Sequence, residues 1–250
     1  MLKSQRALYK IVWLLLVVGF SLLQTVSSAQ MVTQTDTLLP LAGLTVVCDL
    51  DYTFLDHDSL EEAARSQSRN WLQQKMRNFF VPHTPVVGMV ETLKLLQSRG
   101  ATIQFVSARK HSQYEFLRKT LDELQFQNAK LQLAEYIPHG GESMYKYEHI
   151  GFIIKSNPHQ RYFLIGDNQD RDPKVFDRLA SEAGTREKII GTFIRQVRRS
   201  DPRVPRRKDL FTDGFHWAEI LTQAGFISAY DLEGILSIGQ PHLCRALFAD

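Results

Sequence analysis

Cysteine is scarce in this chain: two in 250 residues, Cys48 and Cys244. Two thiols do not make the disulfide framework of a small secreted scaffold. Cys48 sits in an apolar run, where a small buried residue is the simpler reading. A one-sided charge is missing as well. The formal net charge of +3 equals the contribution of Lys3, Arg6 and Lys10 alone, so the chain beyond residue 29 is formally neutral. Nucleic-acid binding therefore gains nothing from net charge. No internal repeat is present. His57, His83, His111, His139 and His149 lack the spacing of a transition-metal site. With 44% hydrophobic and 23% charged residues, the composition excludes a disordered or collagen-like chain. The length suits one generous domain or two small ones.

What is present begins with the first thirty residues. Three basic residues precede Ile11 to Leu23, a run apolar but for Gly19 and Ser21, and Val26-Ser27-Ser28-Ala29 follows. A basic start, a short apolar stretch and a small-residue exit read as a secretory signal peptide over 1–29, cut after Ala29. The competing reading is an uncleaved anchor, since Ile11 to Val26 falls a little short of the roughly 20 residues that span a bilayer. The expected location is periplasmic or secreted. A polar linker over 30–42 follows, then one domain over 43–250.

Within that domain, apolar β-rich runs predict strands over 44–48, 102–106, 131–137, 162–165 and 189–197. Helical patterns fall between them: 58–79 opened by a capping box at Ser59, one carrying Met89, Leu93 and Leu96, then 111–127, 145–156 and 173–183. Two short helices over 217–224 and 230–236 close the chain. Strands alternating with helices predict an α/β fold with a mostly parallel sheet. In such a sheet ligands bind beyond the carboxyl ends of the strands. Asp49 and Asp51, Ser107, and Asp167 and Asp172 all fall just after predicted strands.

Two carboxylates as close as Asp49 and Asp51 repel unless one is protonated or a cation intervenes. Phosphate chemistry uses both solutions, with one carboxylate attacking phosphorus and a second carboxyl protonating the leaving oxygen. An isolated Asp-x-Asp is more often a solvated turn. Gly166-Asp-Asn-Gln-Asp-Arg-Asp172 adds a second acidic loop. Its hard oxygens suit Mg²⁺, whereas the Gly and terminal Glu of a calcium loop are missing. Phosphate also needs a cation. Lys146 and Lys155 lie on the helix before the fourth strand, and Lys146 falls at the strand-end edge.

These elements, in this order, resemble the haloacid dehalogenase superfamily of phosphotransferases. Val46-Val-Cys-Asp-Leu-Asp-Tyr-Thr53 matches its first motif, Ser107 its second, Lys146 its third and Gly166 to Asp172 its fourth. The resemblance implies a Rossmann-like three-layer parallel sheet and a Mg²⁺-dependent phosphatase. It implies Asp49 as nucleophile, Asp51 as general acid then base, and Thr53 as a brace for the loop. Ser107 and Lys146 would hold phosphate. Mg²⁺ would be held by Asp49, Asp167 and the Asp51 carbonyl, with Asp172 in support. Ser107-Ala-Arg-Lys110, Tyr145 to Ile150, Tyr162 to Phe176 and Ile194-Arg195 are further similar to the catalytic domain of actin-patch-type phosphatidate phosphatases. Asn168-Gln169 and Phe176 depart from that family's Ser-Gly-type pair and Tyr.

Between Thr53 and Ser107 there is room for a small helical cap, about 58–80, or none. An open site favours a bulky phosphorylated substrate: a phospholipid, a phosphoprotein or a nucleotide. The Arg-rich stretch 198–209 is either a solvated loop or a contact for an anionic membrane surface, where each basic residue contributes around 1 kcal/mol. From another class, a non-catalytic adaptor that keeps the fold remains an alternative, although neither acidic motif is lost.

Overall fold

The structure, a computed structural model, describes residues 38–56, 84–169, 171–197 and 209–247, with side chains as far as 238 in the last helix. The expected signal peptide, most of the expected linker, the expected cap helix and the basic stretch 198–208 lie outside the described residues.

Six parallel strands form the sheet: β1 (Leu44–Cys48), β4 (Thr102–Lys110), β5 (Lys130–Ala134), β6 (Arg161–Asp167), β7 (Ile189–Arg195) and β8 (Leu210–Phe211). Their spatial order is β5-β4-β1-β6-β7-β8. From β1 the chain builds outward through β4 and β5. It then returns to β1's other side at β6 and continues to β8. That reversal places the topological switch point at the end of β1, where a ligand crevice opens in folds of this type. β2 (Leu55–Asp56) and β3 (Thr84–Pro85) make a separate antiparallel pair. Leu55 pairs with Pro85 and Asp56 with Thr84.

Helices cover both faces. α1 (Met89–Ser98), α2 (Tyr114–Glu123), α5 (Gly214–Gln223) and α6 (Ala229–Leu247) enclose one apolar layer with Phe105, Phe126, Trp217 and Leu221. α3 (Glu142–Ser156) and α4 (Asp172–Ser181) enclose the other with Tyr145, Ile154 and Phe176. The strands alternate between the two layers with period two. On β6, Phe163 and Ile165 enter the first layer, and Tyr162 and Leu164 the second. Both faces are buried, which is why β1 and β6 read as continuous apolar runs. Each fully buried large apolar side chain contributes roughly 1.5–3 kcal/mol relative to exposure.

Boundaries moved where tertiary contacts outweigh pattern. α2 begins at Tyr114, after a 3₁₀ turn over His111–Gln113, and ends at Glu123. α3 begins three residues earlier than its apolar pattern, so Lys146 lies a full turn inside the helix. The end of the expected linker is docked on the domain. Leu39 N–H donates to the Gly225 carbonyl at 2.9 Å and Leu41 is buried.

Candidate active site

Asp49 follows β1 directly, and its N–H donates to the Ile165 carbonyl of β6 at 2.9 Å, extending the ladder by one rung. The turn beyond it is tight: Tyr52 adopts a left-handed φ of 57°, unusual for a bulky residue. Arg195 at the end of β7 braces that turn, its guanidinium donating to the Tyr52 carbonyl at 2.6 Å and the Thr212 carbonyl at 3.1 Å. The hydroxyl of buried Thr53 lies 3.4 Å from both Asp49 Oδ2 and Asp167 Oδ2.

On the β6 side the charged groups are buried. Lys146 Nζ sits 3.0 Å from Asp49 Oδ1 and donates to Asp172 Oδ1 at 2.7 Å. The contact with Asp49 lacks hydrogen-bond alignment, so Asp49 Oδ1 is a buried oxygen without a donor. The N–H of Asp167 donates to Asp172 Oδ2 at 3.4 Å, and the Gln169 N–H donates to Asp167 Oδ1 at 2.6 Å. Gly166 permits this fold-back, because a Cβ there would lie 2.7 Å from the Asp172 Cβ. Buried Asn168 accepts from the Val197 N–H at 3.0 Å, so it secures the end of β7. Phe176 is buried in the second apolar layer.

On the β4 side Ser107 is buried, but Asp51 and Arg109 are only partly so. Between Ser107 and Lys110, β4 carries two residues, Ala108 and Arg109, that have no counterpart in β5. Such a bulge re-aims side chains at a sheet rim. Arg109 grips Asp51 through Nε, at 2.9 and 3.0 Å from the two carboxylate oxygens, and through Nη2 at 2.5 Å from Oδ1. Ser107 Oγ donates to Asp51 Oδ2 at 3.2 Å.

Charge balance in the buried half is uneven. Asp49, Asp167 and Asp172 are all buried, and one oxygen from each falls within 4.8 Å of the others. Burial pushes the Asp49 carboxyl well above its usual range; Lys146 opposes this, while Asp172, Asp167 and Asp51 reinforce it. Burial alone pulls the Lys146 ammonium down, but Asp172 and Asp49 outweigh it and hold the group well above the usual lysine range. One lysine thus faces three carboxylates. With an orphaned Asp49 oxygen and an all-oxygen donor set, the residues fit a hard divalent cation. Cys48 does not compete as a nucleophile, since burial and then Asp49 raise its thiol pKa.

The structure brings together Asp49, Asp51, Thr53, Ser107, Lys146, Asp167 and Asp172 at one sheet edge. Lys155 is elsewhere: it is exposed and lies 3.9 Å from Glu182. Arg109 and Arg195 had no role assigned from sequence. Their signals are position, each at the end of a strand that reaches the crevice, and membership of the segments Ser107 to Lys110 and Ile194-Arg195 that carry the family resemblance.

A sheet with its switch point at an acidic strand end, and a Gly-Asp pair closing the neighbouring strand, is a haloacid dehalogenase-like α/β fold. Within that class the chain belongs to one family: residues 44–196 match the family described as phosphatidate phosphatase APP1, catalytic domain. No curated protein matches the chain. Among solved structures, a chain of the Pnkp1/Rnl/Hen1 complex is similar at 16% identity and a TM-score of 0.42, covering 66% of this chain and 50% of that one. The chain thus spans half the length of that relative. A haloacid dehalogenase-like protein from Burkholderia xenovorans LB400 is similar at 13% identity and a TM-score of 0.46, covering 75% and 100%. An apo phosphoserine phosphatase is similar at 15% identity and a TM-score of 0.33, covering 60% and 92%. At those scores no substrate follows from the likeness.

Proposed function

We propose that this chain is an exported, Mg²⁺-dependent phosphatase that hydrolyses a phosphomonoester through an aspartyl-phosphate on Asp49, with a bulky or lipid substrate such as phosphatidate. The observation that carries the reading is the Lys146 ammonium held between Asp49 and Asp172 beside the orphaned Asp49 oxygen. Asp49 attacks phosphorus, while Lys146 and Ser107 hold the phosphoryl oxygens. Asp51, on the open side, gives a proton to the leaving oxygen and later takes one from the attacking water. Arg109 orients Asp51 before substrate arrives. Asp49, Asp167, Asp172 and the Asp51 carbonyl would hold Mg²⁺. The bound ion supplies charge neutralisation and polarisation of the phosphoryl oxygens.

The lipid reading draws support from the family, and export from the N-terminal sequence pattern. A basic stretch at 198–208 suits contact with an anionic membrane surface. The test is turnover of a generic phosphomonoester and of short-chain phosphatidate by the mature protein with Mg²⁺. Asp49→Asn is expected to abolish both; retained full activity in that variant overturns the mechanism. A protein inactive toward every phosphomonoester would instead favour the non-catalytic adaptor.

A further inference from the structure

A cleft of about 430 Å³ opens on the reacting lysine. Its buried wall is Lys146 and Asp172, and its exposed rim carries His139, Glu142 and Arg171. Among the described residues no apolar side chain lines it. Small-molecule sites of this volume are mostly apolar, so this one suits a strongly polar ligand. A smaller groove of about 170 Å³ continues from it, sharing Gly140, Ser143 and Arg171.

The cleft and the groove differ in charge. In the cleft, Lys146 is paired with Asp172, and Glu142 stands against Arg171. Along the groove run Arg171, Lys174 and Arg178, and among the described residues no carboxylate lines it. Spacings of three and four at the start of α4 put these cations on one face, while Asp172 turns inward to Lys146. Arg178 is already engaged. Its guanidinium lies 3.6 Å over the Tyr147 ring, and its Nε donates to Glu182 at 3.2 Å. Among the described residues no hydrogen bond or ion pair engages the exposed side chain of Arg171 or Lys174. Two like charges on one face, without a counter-charge, attract an anion.

We infer that the groove is a subsite for a second phosphate, carried on the alcohol half of a small bisphosphorylated substrate whose scissile phosphate lies at Lys146. A phosphate monoester carries about −1.5 to −2 at neutral pH, which matches the two unengaged cations. An uncharged alcohol or an acyl chain finds no such match there. The inference rests on the phosphatase reading above and names a substrate class for it, with Arg171 and Lys174 as specificity-determining residues.

The measurement is kcat/KM on the bisphosphates of 1,3-propanediol and 1,6-hexanediol and on n-propyl and n-hexyl phosphate, with calorimetric binding of all four. The proteins are wild type, the double variant Arg171→Gln/Lys174→Gln, and Lys119→Gln, which removes an exposed cation from α2. Counted per phosphate group, wild type is expected to favour a bisphosphate over its matching monophosphate about tenfold at one or both lengths. The double variant is expected to erase that preference, Lys119→Gln to keep it, and added salt to shrink it. A wild-type ratio near one at both lengths overturns the inference. So does a preference that survives the double variant, or one that Lys119→Gln lowers equally. If no compound is turned over, the phosphatase reading falls and binding decides the subsite alone. Tighter binding of a bisphosphate, lost in the double variant, then supports it, and equal binding of bisphosphate and monophosphate overturns it.

Discussion

The two flanks of β1 hold the same kinds of side chain under opposite conditions. Toward β6, Lys146, Asp49, Asp167 and Asp172 are sealed from solvent, and their charges do not balance. Toward β4, Asp51 and Arg109 keep about 24% and 15% of their side-chain surface in contact with solvent and pair bidentately. The sealed flank can hold charge in one geometry, but at a standing electrostatic cost. The open flank can exchange protons and admit a leaving group, with little stability resting on it. Asp49 and Asp51, the proposed nucleophile and proton donor, lie two residues apart in sequence yet experience different dielectric surroundings.

The largest expected effect breaks the sealed flank. Lys146→Met leaves three buried carboxylates without their cation. Loss of activity is expected together with roughly 3–5 kcal/mol of destabilisation, a drop on the order of 10 °C in thermal midpoint. Thermal melts at low and high Mg²⁺ check this; an unchanged midpoint would erase the distinction between the flanks.

Asp51→Asn is the matching change on the open side. It is expected to lower kcat by about 10²–10⁴ while shifting stability by about 1 kcal/mol or less. Steady-state kinetics paired with denaturant titration reads both quantities. A destabilisation as large as that of Lys146→Met would show Asp51 to be a structural ion pair rather than a catalytic group.

The smallest effect has the most informative sign. The folded-state pKa of Asp49 lies above its unfolded one, with burial the main cause. Its contribution to stability is therefore present below the unfolded value of about 3.9 and lost as pH rises through the folded one. At neutral pH without metal, Asp49→Asn is expected to melt about 2–4 °C higher than wild type. Adding Mg²⁺ should reverse the order, because only wild type keeps the full carboxylate set. Melts across pH 4 to 8 with and without Mg²⁺ test it, and a metal-free variant that melts lower would contradict the sign.

Much of this arrangement was legible in the chain. β1, β4 and β6 are buried on both faces, so their residues form apolar runs that need no partner to be recognised. Asp49, Asp51, Ser107, Asp167 and Asp172 follow those runs directly, and Lys146 precedes one of them by a single helix. β2, β3 and β8 were not legible, since two residues carry no period. Nor was the partnership of Arg109 with Asp51, which lie 58 positions apart and meet through a bulge in β4.

Residue order by itself determined the layered α/β fold and the edge of the sheet where chemistry collects, because burial on two faces and strand-end placement are local properties. Tertiary structure alone decided that Arg109 holds Asp51 and Arg195 props Tyr52, and that the Tyr145 hydroxyl is buried without a partner. Each of these depends on distances between elements far apart in the chain. Burial then sets how strongly the paired charges interact.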